Sequence, residues 1–427
     1  MINKSKITDL TLSRRIFSLL LFLVWVLFVL LMLRDFNKDI VYSTIWFGLL
    51  LISIIFCRLN KIQINKIQKI WLIFIGYSFF VTLANSLFGT FNTMTGWYRT
   101  KESLIVYVLP TVSLLMYSRL CNRKFFLKMI RNFLTIVCVL GIYEIITKNQ
   151  IYLNLITSED AIKTFRIFGS SFSGFYRLTL FFYHPIFYGV LLNILIAILI
   201  YIPFKNTLLQ CAALTMAIIN LIFTQSRSSW LAFVLILIVF LFKDHKINNK
   251  ETVFKFLSGL LISLFIVVII LNLFPNLKNT ILNLIQNRLL GFGDYQNNVG
   301  GARISNLSLL SYPTSILTRI FGGGDNYALS LLKAHPTLNG WEDAVDNQYL
   351  TFLLDYGVIG LIIFGILIWL IIKQLYKSND SINNAILLAL ISIIISGAFY
   401  EFYVQSEVLY LTYILIFMLK NGVKNDE

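Results

Sequence analysis

The chain carries run after run of apolar residues long enough to cross a lipid bilayer, and nothing else constrains its fold as strongly. One span needs about 20 predominantly apolar residues. Such runs fall near 16–33, 40–57, 70–88, 103–118, 132–147, 178–202, 208–223, 229–242, 256–274, 348–372, 384–400 and 406–419. Inside lipid every backbone N–H and C=O must be satisfied within its own segment, which dictates helices; a closed barrel would instead show short alternating strands. Composition agrees, since 58% of the 427 residues are hydrophobic and only 13% are charged, about half the charged share of a soluble domain. The expected fold is all-α, an integral membrane bundle of about a dozen helices.

The first run follows Lys4, Lys6, Arg14 and Arg15. It is too long for the apolar region of a signal peptide and no small-residue cleavage site follows it, so it reads as the first span. A net charge of +16 would suggest nucleic acid in a soluble protein. Here the basic residues cluster in short loops between spans, and no nucleic-acid partner is expected. With the N-terminus in the cytoplasm, the segments 58–69, 119–131 and 243–255 and the C-terminal Lys420 and Lys424 are also inside, and Lys and Arg are then about three times as dense inside as outside. Both termini are cytoplasmic on this reading. Cys57, Cys121, Cys138 and Cys211 lie in spans or inner loops, and they offer neither a disulfide framework nor a metal motif.

The outer side receives two long segments, 148–177 and 275–347, and the short loop 224–228. The chain thus divides into spans over 1–274, a large extracytoplasmic loop over 275–347 and final spans over 348–427, working as one unit. A loop as long as 275–347 is far beyond an ordinary connection. It carries Trp341, several tyrosines and apolar stretches at 281–290 and 307–317 that suit short helices against the membrane surface. No internal repeat relates the two halves, which argues against the inverted-repeat design of many transporters.

Four groups of polar residues collect on that outer side. Arg177 precedes His184-Pro185 and Gly189; an arginine there can snorkel to the interface, and His184-Pro185 is also a helix-start signal. Ser226-Arg227-Ser228-Ser229-Trp230 traps a charge between two deeply apolar spans, which is costly without a partner or ligand. Gly300-Gly301-Ala302-Arg303 and Gly322-Gly323-Gly324-Asp325-Asn326 are flexible turns or sites of close backbone approach to an anion. Asp346-Asn347-Gln348-Tyr349 leads into Asp355, Gly357 and Gly360, where acidic residues before a helix are ordinarily caps. Arginines and carboxylates at the outer mouth of an apolar bundle suit a lipid-bound anion, because the guanidinium fork donates two hydrogen bonds and never deprotonates. The histidines His184, His245 and His335 are scattered, so neither a metal site nor a cofactor is expected.

In their order along the chain, these motifs resemble the bacterial O-antigen ligase and Wzy-type polysaccharide polymerase superfamily. The resemblance covers most of 175–361; the first five spans match only as hydrophobic helices. It implies a GT-C-like fold in the bacterial cytoplasmic membrane, with the active site on the outer face, and metal-independent glycosyl transfer from an undecaprenyl-pyrophosphate donor. In a polymerase the growing glycan moves onto the non-reducing end of a fresh lipid-linked unit, building capsule, exopolysaccharide or O-antigen. By this resemblance Arg177, Arg303 and Arg227 hold pyrophosphate, and Gly322, Gly323, Gly324, Asn347, Tyr349 and His184 contribute to loop and acceptor binding. The general base is Asp346, with His335 and Asp343 as rivals. Ligase-type members commonly carry histidine where Asp346 stands, and a tryptophan usual after the loop arginine is replaced by Asn306 and Leu307. The implied partners are the lipid-linked oligosaccharide, the bilayer, and a flippase and a chain-length regulator of the same pathway. A ligase serving another acceptor is the nearest alternative, and a flippase for lipid-linked oligosaccharide is the alternative of another class.

Overall fold

The computed structural model describes residues 4–31, 38–56, 63–89, 93–148, 150, 177–182, 184–246, 258–262, 272, 305–313, 315–336, 344–403 and 406–420. Among them there are helices and turns and no strand. The helices are α1 (Lys4–Leu31), α2 (Lys38–Phe56), α3 (Lys66–Phe88), α4 (Thr93–Ser103), α5 (Leu109–Tyr117), α6 (Arg123–Thr147), α7 (Pro185–Tyr201), α8 (Thr207–Phe223), α9 (Arg227–Lys246), α10 (Ile316–Phe321), α11 (Tyr327–Ala334), α12 (Gln348–Lys377), α13 (Ser381–Gly397) and α14 (Ser406–Met418). Each apolar run except 256–274 overlaps a helix, the one within 178–202 beginning only at Pro185; the run 256–274 lies mostly outside the described residues. Among the described residues, α2, α3, α6, α12 and the Leu12–Leu31 part of α1 each hold a stretch long and apolar enough to cross a membrane, and α7, α8, α13 and α14 are shorter apolar helices.

Side-chain caps set where these helices begin. Asn65 and Gln68 form a capping box at α3, Asn122 accepts from the Phe125 N–H at α6, and Asn206 accepts from the Leu208 N–H at α8. Each satisfies backbone donors that a first turn otherwise leaves open. Because Asn122 caps it, α6 starts at Arg123, well before the apolar run at 132. The extra turns carry Arg131, which donates to the carbonyls of Ile202 and Pro203 at 2.8 Å each and lies over the Phe204 ring. The run at 103–118 is interrupted by a π-helical stretch, Leu104–Val108, that joins α4 to α5. The apolar stretch 307–317 is not one helix: a 3₁₀ turn spans Asn306–Ser311, Pro313 follows, and α10 begins at Ile316.

The chain forms two compact, interleaved units, one of residues 1–35, 122–294 and 375–396, the other of 36–121, 295–374 and 397–427. In the first, α7 packs among α6, α8 and α9 with every residue buried, as expected of a helix that is apolar all round. In the second, α14 has that role, wholly buried against α3 and α5. Trp46 and Trp71 meet its Tyr410 and Tyr413 at 4.8 and 5.0 Å between ring centroids.

Within the second unit the helix ends pair in two separate sets. Asn65 and Gln68 donate to the carbonyls of Leu419 and Phe417, and Gln374 donates to that of Lys420. At the other ends Lys101 pairs with Asp39 at 2.7 Å, Asn326 with Glu102, and Val345 with Glu401. A chain that alternates sides at every span pairs its ends in this way.

Candidate active site

In the second unit the site is organised by a break in α12. Gly357 has φ 67° and ψ −172°, a conformation essentially confined to glycine, so the carbonyls of the preceding turn lose helical partners. The glycine triplet supplies replacements: the Gly323 N–H donates to the Leu354 carbonyl at 3.0 Å and the Gly324 N–H to that of Asp355 at 2.8 Å. Tyr77 in α3 donates to the carbonyls of Phe321 and Tyr356 on either side of this contact. The amides of Gly323 and Gly324 are therefore committed to the broken helix, and the triplet serves to dock the loop on α12.

The docked loop delivers Asp325 to a buried polar cluster. Its backbone N–H donates to the Thr82 hydroxyl at 3.0 Å, and the Tyr356 hydroxyl donates to its carboxylate at 3.3 Å. The other carboxylate oxygen is buried with no hydrogen-bond partner. Asp355 accepts from the Ala328 N–H at 2.7 Å, holding the first turn of α11. Arg99, partly buried on α4, is within electrostatic reach of Asp355, Asp325 and Glu102. Burial, reinforced by the nearby Glu102 charge, pushes the Asp325 carboxyl up to about 7. Desolvation penalises a buried carboxylate, and like charges add to that penalty.

The turn before α12 carries Asp346 and Asn347. Asn347 caps the helix, accepting from the Tyr349 N–H at 3.0 Å and the Leu350 N–H at 3.2 Å. Asp346 is partly exposed, with a left-handed backbone at φ 57°. Glu401, buried in the turn after α13, accepts from the Val345 N–H at 3.0 Å and from the Thr351 hydroxyl. Burial pushes the Glu401 carboxyl up to about 7, with the Asp346 charge adding to the shift. The Tyr349 ring packs toward Phe364. His335 is exposed at the end of α11, its ring stacked on Tyr312 at 3.8 Å.

In the first unit, Arg177 is buried and donates through Nε to the Thr224 carbonyl at 2.9 Å, while the Leu178 N–H donates to the Phe223 carbonyl. This ties the segment before α7 to the end of α8, three residues before Arg227 at the start of α9. There the Ser226 hydroxyl caps α9 by accepting from the Ser229 N–H and meets the Ser228 and Ser229 hydroxyls at 3.0 and 2.8 Å. A Cβ on Gly189 would lie 2.2 Å from the Ser229 hydroxyl oxygen, so the glycine is what lets α7 approach this turn. His184 caps α7, its Nδ1 accepting from the Ile186 N–H at 3.1 Å. The helix-start reading of His184-Pro185 describes its geometry.

Among the residues read from the sequence, the structure thus gathers Arg177 and Arg227 at one helix junction and Asp346 and Asn347 at one turn. Arg303 and Asp343 lie outside the described residues. Sequence reading passed over Arg99, Glu102 and Glu401 altogether and took Asp325 and Asp355 only as parts of motifs. A signal did exist: α4 is polar where its neighbours are apolar, and a lone glutamate stands between two apolar runs at 401. Among the described residues no group of three His, Cys, Asp or Glu side chains is arranged to hold a metal ion.

Residues 211–365 match the family model described as O-antigen ligase. The match runs from within α8 into α12 and takes in Arg227, the Gly322–Gly324 triplet, Asp325, Asp346 and Gly357; Arg177 and His184 precede it and Glu401 follows it. No curated protein matches the chain.

Proposed function

We propose that this chain, whose residues 211–365 match the family model described as O-antigen ligase, is a polysaccharide polymerase of the O-antigen ligase and Wzy-type superfamily of membrane glycan transferases. On this reading it moves a growing glycan from undecaprenyl pyrophosphate to the non-reducing end of a lipid-linked repeat unit, at the outer face of a bacterial cytoplasmic membrane. The bond between the sugar's anomeric carbon and the pyrophosphate oxygen breaks. A bond from that carbon to an acceptor hydroxyl oxygen forms, and the hydroxyl proton passes to a base.

The observation that carries the reading is the pair Asp346-Asn347 at the head of the glycine-broken α12, inside the matched segment. Asn347 does the capping, so Asp346 is not required for it. Asp346 sits partly exposed beside a second carboxylate, where an aspartate can serve as general base. Arg177, Arg227 and Arg303 are the proposed pyrophosphate contacts. Charge grows on the leaving group as the sugar bond breaks, and a fixed donor that meets it is worth about 3 kcal/mol. Aspartate in the position where ligase-type members carry histidine favours polymerase over ligase.

Arg177→Ala and Arg303→Ala variants test the reading in cells. Each is expected to abolish long-chain polysaccharide while the protein stays in the membrane and single lipid-linked units remain at the outer face. Units held instead on the inner leaflet would make the protein a flippase.

A further inference from the structure

The turn that carries Asp346 is held from a distant part of the chain. A left-handed backbone costs a residue with a Cβ roughly 1–2 kcal/mol, and Asp346 adopts it at φ 57°. Asn306 donates to the Val345 carbonyl at 2.8 Å, and the carboxylate that restrains the turn is Glu401. It accepts from the Val345 N–H at 3.0 Å, is anchored on the Thr351 hydroxyl one turn into α12, and is buried. The charged groups facing Glu401 are Asp346, from the turn, and Asp355, from α12; both are carboxylates.

We propose that Glu401 is the positioning residue of the proton-accepting step, fixing the Val345–Asp346 turn through the backbone so that the Asp346 carboxylate is held where the acceptor hydroxyl must deliver its proton. This rests on the reading of Asp346 as general base. A general base must stand within hydrogen-bond reach of the proton it takes, and a misplacement of about 1 Å can cost about a hundredfold in rate. Glu401 touches neither sugar nor pyrophosphate in this account; it acts through Asp346. It lies beyond the matched segment, so the match does not draw attention to it.

The test is the separate measurement of kcat and KM for the purified, membrane-inserted protein acting on synthetic lipid-linked repeat units. Glu401→Gln keeps an acceptor for the Val345 N–H and removes the charge. Its kcat is expected to fall about tenfold because the charge-assisted bond to the Val345 N–H becomes a weaker neutral one, with KM within about twofold. Thr351→Val, which loosens the anchor and keeps the charge, is expected to lower kcat by a smaller factor. A Glu401→Gln protein with wild-type kcat overturns the proposal. If that variant fails to insert, an unchanged kcat in Thr351→Val overturns it instead. Asp346→Asn separates the two levels of the argument. If it is inactive while Glu401→Gln is normal, only the positioning role falls; if it turns over at the wild-type rate, the base assignment falls as well.

Discussion

Gly322 and Gly357 meet backbone to backbone: a Cβ on Gly322 would lie 2.2 Å from the Asp355 carbonyl oxygen, and one on Gly357 would lie 2.3 Å from that of Ile320. Both have positive φ, 95° and 67°. The contact joins the large loop to the break in α12 and leaves no room for a side chain at either position.

Alanine at Gly322 or Gly357 should therefore be severely destabilising. The backbone conformation alone costs about 1–3 kcal/mol, before the clash with carbonyl groups that cannot move independently. Gly365 is the internal comparison, because a Cβ there meets nothing within 4 Å and alanine favours a helix by about 1 kcal/mol. Thermal melting in detergent should show a large loss for Gly322→Ala and Gly357→Ala, and no loss for Gly365→Ala.

Neighbouring residues at the start of α12 should separate stability from turnover. Removing the Asn347 cap should cost about 1 kcal/mol, seen as a lower melting temperature in Asn347→Ala. Asp346→Asn should melt near the wild type and lose turnover. The opposite pattern would make Asp346 the structural residue of the pair.

Asp325 predicts a pH dependence of stability. Its carboxyl titrates at about 7 in the fold, against about 4 in an unfolded chain. As pH rises from 4 the unfolded state loses its proton first, while the folded state must either keep one or bury a charge. Stability is thus lost across roughly pH 4 to 7. Glu401, also at about 7, acts in the same direction. Melting temperatures at pH 5 and pH 8 should differ in the wild type, lower at pH 8, and Asp325→Asn should narrow that difference.

Arg177→Lys should fail to restore what Arg177→Ala removes. Arg177 uses Nε on the Thr224 carbonyl, so the seating of its planar fork depends on a donor that lysine lacks; lysine offers a point charge on a flexible stem. On the proposed pyrophosphate role, the lysine variant should lose about a hundredfold in kcat/KM while expressing normally. Initial rates on synthetic lipid-linked units measure this.

The sequence makes the helices legible because lipid imposes a length and a composition on each of them; their starts follow from single residues such as Asn65, Asn122 and His184. It also points to Asp346-Asn347, although only the structure decides which of the two caps α12. Arg99, Glu102 and Glu401 escaped because each stands between apolar runs far along the chain from its partners, 224 residues for Glu102 and Asn326 and 56 for Glu401 and Val345, and no local period or spacing brings such residues together. The glycine triplet illustrates the converse. Glycines in a row suit an anion-binding loop and a docking turn equally well, and the deciding fact, the broken turn that receives the Gly323 and Gly324 amides, lies on another helix.

The central claim is tested most directly with purified protein and synthetic undecaprenyl-pyrophosphate-linked repeat units, with neither metal nor nucleotide sugar added and glycan length read on a gel. The account predicts a ladder of products growing by whole repeat units, lost in Arg177→Ala and in Asp346→Asn. Absence of any elongation in the wild-type protein, with the units recovered intact, would contradict it.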